Sequence, residues 1–95
     1  MPNYLVESYA AHRPGAVDDA RERARQVGEL EGAVRYVRTT FIPKDETILH
    51  LFEASSAEAL LRALRLAALQ HDRIVEAIED SGSDQQPDER PEEMR

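Results

Sequence analysis

Apolar residues recur along the chain with two different periods, and each change of period marks the start of a new element. Tyr4, Leu5, Val6 and Tyr9 give a β-rich run over residues 3–9 that halts before Pro14-Gly15, which predicts a first strand followed by a loop. From Ala16 the spacing shifts to three and four residues. Val17, Ala20, Ala24, Val27 and Leu30 then line one side, while Asp18, Arg21, Glu22, Arg25 and Glu29 fill the others. This spacing predicts an amphipathic helix. Asp18 and Asp19 fall in its first turn, against the positive end of the helix dipole, and Gly32 stands as its terminator. Gly28 interrupts the helix at a cost of about 1 kcal/mol relative to Ala, so the last turn is expected to be loose.

Residues 34–42 (Val-Arg-Tyr-Val-Arg-Thr-Thr-Phe-Ile) are dense in β-branched and aromatic side chains, Pro43 stops further pairing, and the β pattern resumes over residues 47–53. A hairpin is predicted here. Ser55-Ser56-Ala57-Glu58 carries a capping-box signature, with Ser55 accepting from the Glu58 amide. In the helix that follows, Leu60, Ala63, Leu64, Ala67 and Ala68 form an inward stripe that Leu61 and Leu69 widen, and Arg62 and Arg65 mark the wet side. Residues 73–79 (Arg-Ile-Val-Glu-Ala-Ile-Glu) read as a last strand, although their composition would also tolerate a helix. The resulting βαββαβ order, with right-handed crossovers, predicts an α+β ferredoxin-like sandwich: a four-stranded antiparallel sheet with both helices on one face.

Both faces of that sheet look apolar. In the third strand Leu49 and Leu51 form one set and Ile48, His50 and Phe52 the other; Val37 and Phe41 oppose Val34, Tyr36, Arg38 and Ile42. An antiparallel sheet with one wet face should alternate apolar with polar, so the face away from the helices is expected to be covered by a second copy of the chain. His50, Tyr36, Arg38 and Glu76 would be its polar minority, and the assembly would be a homodimeric α+β barrel.

Several runs resemble a known family: Tyr4-Leu5-Val6-Glu7, residues 34–43, the Asp45-Glu46-Thr47 turn, Leu51-Phe52-Glu53-Ala54 before a serine-capped helix, and Asp72-Arg73-Ile74-Val75-Glu76. The chain is similar over residues 4–79 to a small bacterial domain of unknown function, common in actinobacteria, whose namesake members are described as nickel-binding. The resemblance implies a ferredoxin-like domain that dimerises through its sheet. The nickel-binding branch carries His in the first strand and in both helices, and a Cys in the third strand. This chain departs from that pattern: Ser8 and Tyr9 stand in the first strand, neither helix has a His, and His50 lies near the Cys position. Nickel or another divalent transition metal is thus a candidate ligand whose donor set cannot be carried over.

Composition narrows the rest. With 95 residues there is room for one small core. Residues 80–95, with six acids, two arginines, two prolines and no apolar side chain but Met94, read as a disordered acidic tail beyond a 1–79 domain. The tail holds −4 of the net −7, leaving −3 for the domain. That sign argues against a nucleic-acid partner. The absence of cysteine removes thiolate chemistry and disulfides, and without a leader or a long apolar stretch the expected setting is cytoplasmic, with no membrane partner.

His50, flanked by Ile48 and Phe52 in an interior strand, is the leading candidate for a site residue: a desolvated imidazole of lowered pKa. Glu7, Glu53 and Glu76 either join it, as an acid–base pair or part of a metal site, or pair with Arg35, Arg38 and Arg73 across strands. Tyr36 and Arg38 complete the candidate ligand pocket. His12 and His71, both in loops, are the remaining metal-ligand candidates. Arg21, Arg23 and Arg25, interleaved with acids, read as an exposed salt-laced face. No phosphate-binding loop, zinc-protease motif or nucleophile elbow is present. The expected function is binding of a small ligand or divalent metal. A cofactor-independent isomerase, cyclase or monooxygenase in a dimeric barrel is the alternative, and a partner domain acting through its acidic tail is a third.

Overall fold

A computed structural model of the protein describes residues 1–10, 14–30 and 32–78. The elements run β1 (Asn3–Tyr9), α1 (Ala16–Leu30), β2 (Val34–Ile42), a short 3-10 turn (Pro43–Asp45), β3 (Thr47–Ala54), α2 (Ala57–Leu66) and β4 (Arg73–Ala77). The strands form one antiparallel sheet in the order β2-β3-β1-β4. This is the ferredoxin-like arrangement the periodicity predicts, with the last strand ending at Ala77. The expectation for residues 80–95 lies outside the described residues.

Strand register decides which side chains the helices cover. Tyr4, Val6 and Ser8 of β1 are buried, and they stand opposite Phe52, His50 and Ile48 of β3. Together with Ile74 of β4 these residues form the floor of the core. Above them lie Ala24 and Val27 of α1 and Ala59, Leu60, Ala63 and Leu64 of α2. The opposite set, Leu5, Leu49, Leu51 and Val75, faces away from the helices.

This corrects the expected assignment of faces. His50, Tyr36 and Glu76 belong by register to the helix-covered side; Arg38 alone of the four lies on the open side. The cause is a β-bulge at Val37. The pairing passes from Tyr36↔Phe52 to Arg38↔Leu51, so β2 changes phase. Beyond the bulge Thr39 and Phe41 join the helix side, and Arg38, Thr40 and Ile42 turn outward.

Gly28 is not a loose point in α1. A Cβ at this position would lie 2.8 Å from the Tyr36 backbone nitrogen and 3.1 Å from Tyr36 Cβ. The helix needs a residue without a side chain to seat its last turns on β2. At the start of α2 the cap is one residue later than expected: Ser56 Oγ accepts from the Ala59 amide at 3.1 Å, and the Ser55 amide is already engaged with the Ala33 carbonyl at 3.0 Å.

The other end of α2 is also reassigned. Ala68 does not extend the inward stripe; it is exposed and adopts a left-handed conformation with φ of 57°. The Leu69 amide bonds to Leu64 O at 3.0 Å and the Ala68 amide to Arg65 O at 3.1 Å. Those two bonds, with Leu64 and Leu69 both buried, make a Schellman termination in which alanine occupies the position usually given to glycine.

The two backbone-limited positions are expected to respond in opposite directions. Gly28→Ala should destabilise the fold by about 1–3 kcal/mol through overpacking against Tyr36, although alanine is the better helix former. Ala68→Gly should stabilise it by up to about 1 kcal/mol by relieving the left-handed strain. Urea denaturation of both variants checks this; stabilisation by Gly28→Ala would show that α1 stands off the sheet.

Candidate functional site

His50 is the innermost polar side chain of the structure, fully buried between β1 and β2 beneath the helices. Its Nδ1 lies 2.8 Å from Thr39 Oγ1, and Thr39 Oγ1 lies 2.7 Å from Tyr36 Oη. The bulge makes this line possible, since it brings Tyr36 and Thr39, three residues apart, onto one face. Phe52 packs beside both rings, 5.8 Å from Tyr36 in an edge-on arrangement and 6.3 Å from His50. His50 Nε2 is buried with no hydrogen-bond partner. Desolvation lowers the imidazole pKa from 6.5 to about 4, so the ring is neutral near pH 7.

The other candidates do not gather around it. Glu7 pairs with Arg73 at 3.2 Å and Glu53 with Arg35 at 2.8 Å, both on the open face. The hydrogen bond from Arg35 holds the Glu53 carboxyl below the usual carboxylate range. Arg38 is exposed opposite Leu51, and Glu76 is exposed on the edge strand β4. The expected single pocket is therefore divided between two faces, because the bulge and the β3 register separate its members. Of the loop histidines, His71 is half-buried with Nδ1 3.3 Å from Leu69 O, and His12 lies outside the described residues. Among the described residues no three His, Asp or Glu side chains gather as a metal-binding group.

What the structure does form is a recess at one end of the helix layer, about 300 Å³ in volume. Its apolar wall comes from Ala16 and Ala20 of α1, Ile48 of β3 and Leu69. Its polar wall comes from Ser8 and Tyr9 of β1, Asp19 and Arg23 of α1, and Gln70. The groove continues past His71 and Asp72. Small side chains leave the space: alanines at 16 and 20 are one turn apart on the inward side of α1. The wall is pinned by two hydrogen bonds to the segment after α2. Ser8 Oγ donates to Gln70 O at 2.8 Å, and Arg23 donates to Ala67 O at 3.2 Å. Tyr9 Oη donates to Glu46 Oε1 at 2.5 Å, and the carboxylate raises the tyrosine pKa.

Arg23 is exposed like Arg21 and Arg25, but its hydrogen bond goes to the Ala67 carbonyl instead of to an acid. Arg21 pairs with Asp18 at 2.8 Å and Arg25 with Glu22 at 3.7 Å on the solvent side, as expected, while Arg23 turns to the joint between the helices. The signal was in the spacing. Position 23 is three residues after Ala20 and four before Val27, on the edge of the inward stripe, so its exposed side chain lies next to the joint between the helices.

The chain is a ferredoxin-like α+β sandwich with an open recess of about 300 Å³ between its helices and its sheet. The chain is similar to the protein in the crystal structure analysis of SCO4226 from Streptomyces coelicolor A3(2), an actinobacterium, with 22% sequence identity and a TM-score of 0.65. That likeness covers 83% of this chain and 99% of the other, and it is a likeness of fold. No protein-family model matches the chain, and no curated protein is significantly similar to it. Among the described residues no helix is long and apolar enough to cross a membrane.

The depressed His50 pKa makes stability pH-dependent with a definite sign. Above pH 6.5 the imidazole is neutral in both folded and unfolded chains; below it the unfolded chain takes up a proton that the folded one refuses until about pH 4. Stability is therefore expected to fall between those values, by about 2 kcal/mol from pH 7 to pH 5. Urea denaturation of the protein and of His50→Leu at the two pH values measures it. An equal loss in both proteins would assign the effect to other groups.

Proposed function

We propose that the protein is a small-ligand-binding domain that acts as a homodimer packed sheet to sheet, with one ligand site in each protomer. The observation that carries the reading is the recess between helices and sheet, with an apolar wall of Ala16, Ala20, Ile48 and Leu69 facing a polar wall that includes Ser8, Arg23 and Gln70. A concave site with an apolar body and few fixed polar groups is the usual form of a small-molecule site, and this volume is at its lower end. Binding is favoured over catalysis because His50, the residue suited to act as a base, is shut away from solvent beneath the helices. An organic ligand is favoured over a divalent metal because the recess offers mixed apolar and polar walls and no gathered donor set among the described residues.

The second copy is argued from the open face. Leu5, Leu49 and Ile42 are only half-buried there and Val75 is 37% exposed, with no helix among the described residues to cover them. Charge favours a copy of the same chain at this position. The chain as a whole carries −7, yet this face sets Arg35, Arg38 and Arg73 against Glu7 and Glu53. Two of those arginines are already paired within the sheet, so two such faces can meet without the repulsion the rest of the surface would bring.

Two measurements test the proposal. Sedimentation equilibrium should show a dimer at micromolar concentration and a folded monomer for Leu49→Glu; a monomeric parent protein would remove the sheet-packed assembly. An NMR titration with a mixture of small aromatic and aliphatic fragments should perturb Ser8, Ala20, Arg23, Ile48 and Gln70, and Ala20→Trp should abolish the effect by filling the space. Perturbation confined elsewhere, or one-site nickel binding lost in His71→Ala, would replace the organic-ligand reading.

A further inference from the structure

We infer that the recess selects a compact monocarboxylic acid, a single ring or short hydrocarbon chain carrying one carboxylate, with Arg23 as the anchor for its charge. This rests on the binding reading above and specifies the ligand class for the same site. Arg23 is the cation among the recess-lining residues, and among the described residues its only interaction is the hydrogen bond to Ala67 O at 3.2 Å. A guanidinium has five N–H donors in a planar fork; one contact leaves donors to meet both oxygens of a carboxylate.

Arg23 is also held in place before any ligand arrives. Ala67 is the C-cap of α2, where terminal carbonyls form the negative end of the helix dipole and favour a cation. This attachment fixes the guanidinium at the rim, so less side-chain freedom is lost on binding than for a free surface arginine. Asp19 lines the same recess one turn earlier on α1 and has an interaction of its own. Its carboxylate adds negative charge to the site, so each further anionic charge on a ligand is disfavoured and a monoanion is preferred to a doubly charged phosphate. The hydrocarbon part of the acid would lie against Ala20, Ile48 and Leu69.

Benzoate, benzamide and phenyl phosphate, which share a ring and differ in charge, provide the test when titrated into the full-length protein and followed by amide shifts. Benzoate should perturb Arg23, Ile48 and Gln70 and bind about 10-fold or more tightly than either analogue. Arg23→Gln should lose that preference. Arg23→Lys, which keeps the charge but not the fork, should bind benzoate with intermediate affinity, and this holds the test open if the glutamine variant unfolds. Benzamide binding in the recess as well as benzoate would overturn the acid class while leaving the recess as a binding site. Tighter binding of phenyl phosphate would overturn the preference for a single charge and with it the class, and no recess shift with any of the three would overturn both readings.

Discussion

The hydrogen bond between Thr39 Oγ1 and His50 Nδ1 is the contact around which the sheet is arranged. An imidazole fully removed from water beneath two helices loses its hydration, and an unpartnered buried polar atom costs about 1–3 kcal/mol. One ring nitrogen is satisfied only because β2 bulges at Val37 and turns Thr39 inward. The same bulge sends Arg38 to the open face and places Tyr36 where Gly28 of α1 rests on it. Ring, bulge and helix seat are thus one connected arrangement, and changing the register of β2 by one residue would undo all three.

That arrangement explains which parts of the fold the sequence discloses. Element positions follow from period, which is local: alternation in β1, three-and-four spacing in α1, serines ahead of α2. The face of β3 is a different matter. Ile48, His50 and Phe52 compete with Leu49 and Leu51 on nearly equal apolar terms, and only packing against the helices decides between them. Nothing within Val34 to Ile42 announces the bulge, because the extra residue is set by how β2 pairs with β3. Gly28 carries the same lesson, since its use depends on Tyr36, eight positions away and in another element. Ser55 and Ser56 are adjacent and chemically alike, and the choice of cap falls to whichever amide Ala33 leaves free.

The candidate site was less legible than the fold. Glu7 and Glu53 are consumed by the cross-strand partners that the charge pattern already offered, so they contribute to the sheet surface and not to a shared centre. Such exposed pairs add little to stability, about 0–1 kcal/mol each, but they neutralise a surface on an otherwise acidic chain. Arg23 was concealed among two other arginines whose partners are conventional. Its distinction is positional: it stands beside the stripe that faces the sheet, exposed, yet close enough to the end of α2 for its head to reach a carbonyl there.

The strand order has a consequence for how the chain reaches this state during synthesis. β1 occupies an interior position, yet both of its neighbours come from later in the chain: Val6 meets His50 on one side and Ile74 on the other. β1 must therefore wait, unpaired, until β3 and β4 have been made before its edges are protected. Such long-range closure slows folding and leaves a sticky intermediate, so the nascent first half is where a chaperone would find its purchase.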